Sequence, residues 1–505
     1  MSGLFAIQVS EARGYVATTA ELDRLAVVIG CSSLGSGLSP FFLSGSSAIA
    51  ALGYGDAVDT LSQIIEQVQP DGGQKYPAAM YTTPGTTTGS YGAINVTGVT
   101  GSSVVTNDAA VHPYGTYEAR LRVTLGGTIA TGPISFVWSL DGGRTESVVT
   151  ALGTANTYTI PNSNVKFNFA AGSLVTGDII SVRTLAPAPT ATDIDSAFAA
   201  IAASSVDCGL VVCEFPCTAA LAAHVKTGLA ALRAVGKRAT ALLRTPIRGF
   251  EGAQTETTWV TAETADYAAF QDSNECVSAA YGFITDAMTS RVYLRSDLAQ
   301  WAADVVRVPR GRLPDVPFDR AESNFLLVDA NGTTVGHDEG PRGSVTGLSD
   351  DTLGNRFRSV MRLPDAARRE EVFTTIPWVM YAPDERIRNL PTRRLANALE
   401  RTAVSAGTSA LGENLFFTSD PDGSNKRLTP ASLRAIQGAI WSAEKAEFTD
   451  AEIQNLQDGD LNTGLVQVNP AITITGFNLV NVSVTLAPRI GGYLLTLSIT
   501  LALQG

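Results

Sequence analysis

Apolar and polar residues alternate with a period of two at both ends of the chain. In the last segment Leu495, Leu497, Ile499, Leu501 and Leu503 fall on one face and Thr496, Ser498 and Thr500 on the other. That is the pattern of a half-buried β-strand. Residues 4–9 alternate in the same way, with Phe5, Ile7 and Val9 on one face. Chain ends usually fray because nothing ties them down. A terminal strand this apolar needs a partner, either in its own domain or in a neighbouring subunit.

Between the ends the pattern changes several times. Residues 24–30 form an apolar run of buried-strand type, and 57–68 carry helical spacing in Val58, Leu61, Ile64, Ile65 and Val68 before Pro70. Residues 76–88 and 94–104 read as strands and loops rich in Thr and Gly. From 117 to 183, short alternating strands punctuated by Asp141-Gly-Gly and Pro161-Asn predict a small all-β sandwich or barrel, with a Pro-rich linker after Ala186. Residues 191 to 310 then alternate helix (194–203, 219–235, 261–270, 295–306) with strand (208–215, 239–244, 275–284). This predicts an α/β layer around a largely parallel sheet. Beyond a loop-rich 308–369, a long helix is expected over 383–406 with Pro391 near an interior break. A second helix is expected over 431–444, behind Thr429 as N-cap and Pro430. The remainder, from 466, reads as β-structure.

A chain of 505 residues exceeds a single hydrophobic core, so several domains are expected. The net charge of −12 argues against nucleic acid as a partner, which needs a basic footprint. No apolar run reaches the ~18–20 residues of a membrane span, so no direct membrane insertion is expected. The first residues lack the basic and long apolar regions of a signal peptide, and folding in a cytosol is expected. The five cysteines, Cys31, Cys208, Cys213, Cys217 and Cys276, lack the paired spacing of a zinc site. They read either as small buried hydrophobes or as disulfide partners formed outside the cytosol. The odd count would then favour at least one bond between chains.

Chemistry-bearing motifs are not found. His112, His224 and His337 have no ligand spacing, Gly236-Lys237-Arg238 lacks the rest of a phosphate loop, and Asp329-Ala-Asn-Gly places its glycine too early for a calcium loop. No catalytic, cofactor-binding or metal-binding residue is therefore expected, and no enzyme. Arg386, Arg388, Arg393, Arg394 and Arg401 gather beside Asp384, Glu385 and Glu400. Two readings stand: a solvated, salt-bridged helix, or ion pairing between subunits, for which Arg is well suited.

Four features taken together resemble the contractile-tail sheath proteins of myophages and related contractile injection systems. They are the strand at 4–9 followed by Arg24-Leu-Ala-Val-Val-Ile-Gly, the β-module with Tyr158-Thr-Ile-Pro-Asn and Phe167-Asn-Phe-Ala-Ala-Gly, the α/β segment with Trp259 and Tyr267-Ala-Ala-Phe-Gln-Asp, and the C-terminal helix–strand block. The resemblance implies an α/β and β multi-domain fold. In it, an N-terminal arm (1–25) joins 366–505 in a tube-facing α+β core, 26–116 with 190–365 forms an α/β middle domain, and 117–189 is an inserted outer β domain. It implies a virion structural protein, assembled in the host cytoplasm, whose copies stack as hexameric rings around a tail tube. Contraction of those rings would drive the tube through the host envelope for genome ejection. Its partners would be itself, the tail tube protein, and baseplate and tail terminator proteins. The arms would add strands to sheets of adjacent subunits. The competing class is a receptor-binding or carbohydrate-active tail protein, to which the β-module could belong.

Overall fold

The computed structural model describes residues 25–34, 41–42, 49–68, 78–82, 88–98, 101–246, 256–272, 274–278, 281–286, 291–307, 325–327, 357–358, 360–364, 370–374, 390–411, 417–419, 426–447, 466–468, 479–486 and 495–502. Phe5, Ile7, Val9, Leu503 and His337 lie outside them. The helices are α1 (Asp56–Val68), α2 (Ala191–Ala203), α3 (Ala219–Ala234), α4 (Glu256–Asp266), α5 (Leu298–Arg307), α6 (Leu390–Leu411) and α7 (Pro430–Glu447).

Ala26–Gly30 has no polar alternate position, which suits a strand covered on both faces, and every residue of it is buried. It sits third in a seven-stranded sheet of order Phe41–Phe42, Ala78–Thr82, Ala26–Gly30, Leu210–Pro216, Thr240–Arg244, Glu275–Ser278, Phe357–Arg358. All its pairings are parallel except the first. Alternate residues feed two cores. Val27, Ile29, Val211 and Leu243 meet Phe198 of α2, Leu229 of α3 and Trp259 of α4 on one side. Ala26, Val28, Val212 and Leu242 meet Leu61 of α1 and Trp301 of α5 on the other. Gly228 lets α3 close on α2, since a Cβ there would lie 2.2 Å from the Phe198 ring. Thr190 caps α2 reciprocally with Asp193.

Between Ala78–Thr82 and α2 the chain builds an antiparallel module. Its larger sheet runs Ser90–Thr97, Ile179–Leu185, Tyr117–Leu125, Ser135–Ser139, Thr150–Ala151, and a smaller one runs Thr157–Ile160, Val165–Phe169, Val105–Asn107. Tyr117–Leu125 alternates buried and part-exposed residues along its length, as the sequence pattern predicts. Leu121, Phe136 and Trp138 share a core with Val165, Phe167 and Phe169 of the other sheet. The module starts earlier than the pattern suggested. Ser90–Thr97 pairs with Ile179–Leu185, but as a largely exposed edge strand it carries no apolar alternation to mark it. The two ends of the module lie side by side, a Cβ on Gly89 falling 2.9 Å from the Leu185 carbonyl oxygen.

Other boundaries shift for identifiable reasons. The run expected as one strand over 275–284 is two: Glu275–Ser278 joins the parallel sheet, while Tyr281–Asp286 pairs antiparallel with Arg291–Ser296 and Phe325–Leu327. Arg295 therefore belongs to a strand, and the following helix starts at Leu298. Pro391 sits in the first turn of α6, where proline is tolerated, so it marks a start and not an interior break. Thr429 caps α7 as expected, its Oγ1 accepting from the Ser432 amide at 3.3 Å. The loop-rich region contributes the hairpin Val360–Pro364 with Glu370–Thr374.

Candidate assembly site

Leu495–Ala502 pairs antiparallel along its whole length with Leu479–Leu486, and Val466–Val468 pairs with the far side of the latter. The register superposes three separate period-two patterns. Leu495, Leu497, Ile499 and Leu501 stand opposite Leu486, Val484, Val482 and Val480, and Val466 and Val468 join the same face. Thr496, Ser498 and Thr500 stand opposite Thr485, Ser483 and Asn481, with Gln467 beside Ser483. Directly opposed residues share a face, so one face is built from Val, Leu and Ile and the other is almost wholly Ser, Thr, Asn and Gln. The terminal strand occupies the edge of this sheet. Of its expected residues Leu495, Leu497, Ile499 and Leu501 are in the strand. One of its edges is taken by its own chain.

Helix α6 packs on this terminal strand and on α7, and it also docks on the central sheet. The docking uses the amino ends of the parallel strands. Asn397 Nδ2 donates to Thr240 Oγ1 at 3.0 Å and Arg401 Nη2 to the Arg238 carbonyl at 2.6 Å. Arg401 Nε lies 3.5 Å from Asp207, and Glu400 lies 3.0 Å from Arg238 and 3.5 Å from Arg233. Arg393, Arg394 and Arg401 are buried. The solvated reading is thereby corrected for these three residues, and the pairing of Arg401 and Glu400 with Asp207, Arg233 and Arg238 forms a seam inside the chain. Arg386 and Arg388 lie outside the described residues. Burial pushes the Arg393 guanidinium down to about 10.

A second seam closes the opposite, carboxyl ends of the same strands. Glu214 Oε1 accepts from Arg244 Nε at 2.7 Å, and Glu214 Oε2 accepts from Thr60 Oγ1 at 2.9 Å and Ser296 Oγ at 3.1 Å. Arg244 Nη2 lies 3.9 Å from Asp56, and Arg295 Nη2 lies 3.3 Å from Asp56 and 2.6 Å from Asp59. Asp56 Oδ1 accepts from the Thr116 amide at 2.8 Å, while Arg295 Nη1 donates to the Thr116 carbonyl. The guanidinium lies 5.6 Å from the Tyr117 ring centre and 4.7 Å from that of Tyr293, within cation–π range. Burial opposes the charge of Arg295, but Asp56 and Asp59 beside it overcome that and hold it above its ordinary range. Burial raises Glu214 against the pull of Arg244. One ionic chain thus ties the central sheet, α1 and the Arg291–Ser296 strand to the β-module. In open α/β sheets ligands bind beyond the carboxyl ends of the strands; here ion pairs and the docked module occupy that place.

None of these five charged residues was singled out in the sequence. A signal was present: Glu214 interrupts the apolar run Leu210-Val-Val-Cys-Glu-Phe, and a carboxylate in a strand buried on both faces requires a cation. The cysteines resolve toward the core. Cys208, Cys213, Cys217 and Cys276 are buried, Cys31 is half-buried, and none of the five is in a disulfide. Burial pushes the Cys208 thiol up to about 12 and those of Cys213 and Cys217 well above their usual range, so their thiolates are scarce. His224 meets Asp195 at 3.0 Å on the surface, and among the described residues no cluster has metal-ligating composition.

A family model described as DUF2586, N-terminal domain, matches residues 5–290, more than half of the chain. No curated protein matches the sequence. Similar solved structures include a sheath tail protein from Listeria innocua, with 13% identity over 95% of each chain and a TM-score of 0.46. The baseplate of the anti-feeding prophage is another, with 14% identity over 64% of this chain and 73% of that chain and a TM-score of 0.36.

Proposed function

The chain belongs to the DUF2586 family, and for this member we propose a structural role as a tail sheath subunit that polymerises around a tail tube. The observation that carries this reading is the terminal sheet, whose last strand lies at its edge with an apolar and a polar face. Its backbone groups on the outer side meet no other described strand. Such an edge is a hazard in a monomer and a joint in an assembly. The arm bearing Phe5, Ile7 and Val9 from a neighbouring copy would add there as a further strand.

The two ionic seams support the same reading. A joint on the terminal sheet is mechanically useful only if the rest of the subunit follows it. Helix α6 links that sheet to the amino ends of the central strands, and the Arg295 seam links their carboxyl ends to the module. Copies would stack as hexameric rings, with the 366–505 block toward the tube and the module outward, and would meet baseplate and terminator proteins at the two ends. Contraction would be a passage from an extended lattice to one with more buried surface, with strand pairing keeping the mesh connected. Negative-stain imaging of the expressed chain tests this. Long striated tubes are expected, and dispersed monomers at every concentration and ionic strength would contradict it.

A further inference from the structure

Helix α7 turns one stripe inward: its buried residues are Ser432, Ile436, Ile440 and Glu444, spaced four apart. Three of these suit a core, and the fourth is a carboxylate. Glu444 is 0% exposed, and neither of its carboxylate oxygens has a hydrogen-bond partner among the described residues. A buried carboxylate without a cation or donors is strongly disfavoured in its charged form. Among the described elements, those most extensively packed on α7 are α6, Val466–Val468 and Lys426–Leu428. Their ionisable groups are Arg393, Arg394, Glu400 and Arg401 on α6 and Lys426 and Arg427 on the short strand; Val466–Val468 has none. Of the α6 groups, Glu400 and Arg401 engage Arg233, Arg238 and Asp207. Burial pushes the Glu444 carboxyl up to about 8.

We propose that Glu444 is a proton-operated catch on the terminal block: protonated, it lets α7 lie against α6, and once ionised it drives the two helices apart. This rests on the assembly reading above and adds its regulation, because α6 is also the support of the terminal strand. The direction follows from linkage. A carboxyl raised in the folded state holds its proton there while the open state releases it. The closed packing is therefore favoured below the ordinary carboxyl range near 4.5 and is progressively lost as pH climbs to about 8.

Hydrogen exchange of the full chain between pH 5 and 9, corrected for intrinsic rates, reads this directly. Protection of amides in 390–411 and 430–447 is expected to fall by up to about tenfold per pH unit below 8 and to level off above it. Glu444→Gln should keep the low-pH protection throughout, and Glu444→Leu serves if the amide variant misfolds. Protection that is flat with pH in the wild type, or that falls equally in both variants, would overturn the catch. Light scattering on the same samples separates the two ideas. Falling protection in a chain that assembles at no pH would uphold the catch and sink the assembly reading.

Discussion

Replacing Arg295 with methionine tests whether the module is held by the ionic seam. The side chain is 3% exposed, and its loss removes the cation 2.6 Å from Asp59, at 18%, and leaves Asp56, at 4%, with the more distant Arg244 at 3.9 Å. Removing one partner of a buried pair costs about 3–5 kcal/mol, because the remaining charge stays desolvated. The loss of the Tyr117 and Tyr293 contacts falls within that figure. As a control, Arg122 pairs with Glu146 at a site where the two side chains are 38% and 30% exposed, and such pairs contribute about 0–1 kcal/mol. Scanning calorimetry with limited proteolysis at the junctions near 89 and 186 is the assay, since a multi-domain chain need not unfold in one step. Arg295→Met should lower the transition of the docked module and speed cleavage there, while Arg122→Ala should do neither to a comparable degree. A second change, Asp59→Asn on the Arg295→Met background, should recover part of the loss. If Arg295→Met behaves like Arg122→Ala, the seam does not hold the module.

Native thiol labelling should modify at most Cys31 quickly, and all five cysteines only after denaturation; rapid native labelling of Cys213 or Cys217 would contradict their burial. A non-reducing gel of assembled particles should accordingly show no ladder that survives replacement of Cys31 by serine. Excising 90–185 joins ends that already lie together and should leave a folded, assembling chain. Excising 117–185 instead strips the partner from Ser90–Thr97 and should give an aggregating one, and equal behaviour of the two deletions would refute the placement of the module boundary. Arg401→Gln should loosen α6 from the sheet by about 1.5–3 kcal/mol, the contribution of a hydrogen bond from a charged group, read as faster exchange in 390–411.

The parallel sheet and the sandwich were legible because their burial leaves a pattern in the chain. Leu121 and Val123 against Arg120 and Arg122 carry their two environments in the sequence itself, while Ala26–Gly30 shows as an unbroken apolar run because both its faces are covered. Ser90–Thr97, part of it read as strand or loop over 94–104, was not assigned to the module because an exposed edge strand needs no apolar face, and nothing in the composition of 275–284 separated Glu275–Ser278 from Tyr281–Asp286. The seams were illegible for another reason. Asp56, Arg244 and Arg295 are far apart in the chain and nothing local marks them as buried, while Glu214, a carboxylate inside an apolar run, carries a local signal that names no partner. The α6 cluster shows the cost: its composition left open a solvated helix or pairing between subunits, and only the docking of Arg401 on Asp207 and the Arg238 carbonyl shows where that arginine goes. The terminal strand was legible as a strand, while its pairing with Leu479–Leu486 follows from register, which alternation fixes only once the partner is known.

The central claim is that the terminal strand is the joint of an assembly. Negative-stain imaging of the full chain beside a chain ending at residue 493 measures it most directly, with circular dichroism to establish that both are folded. The account predicts tubes from the full chain and folded single subunits from the shortened one. Tubes of the same form from the shortened chain would contradict it.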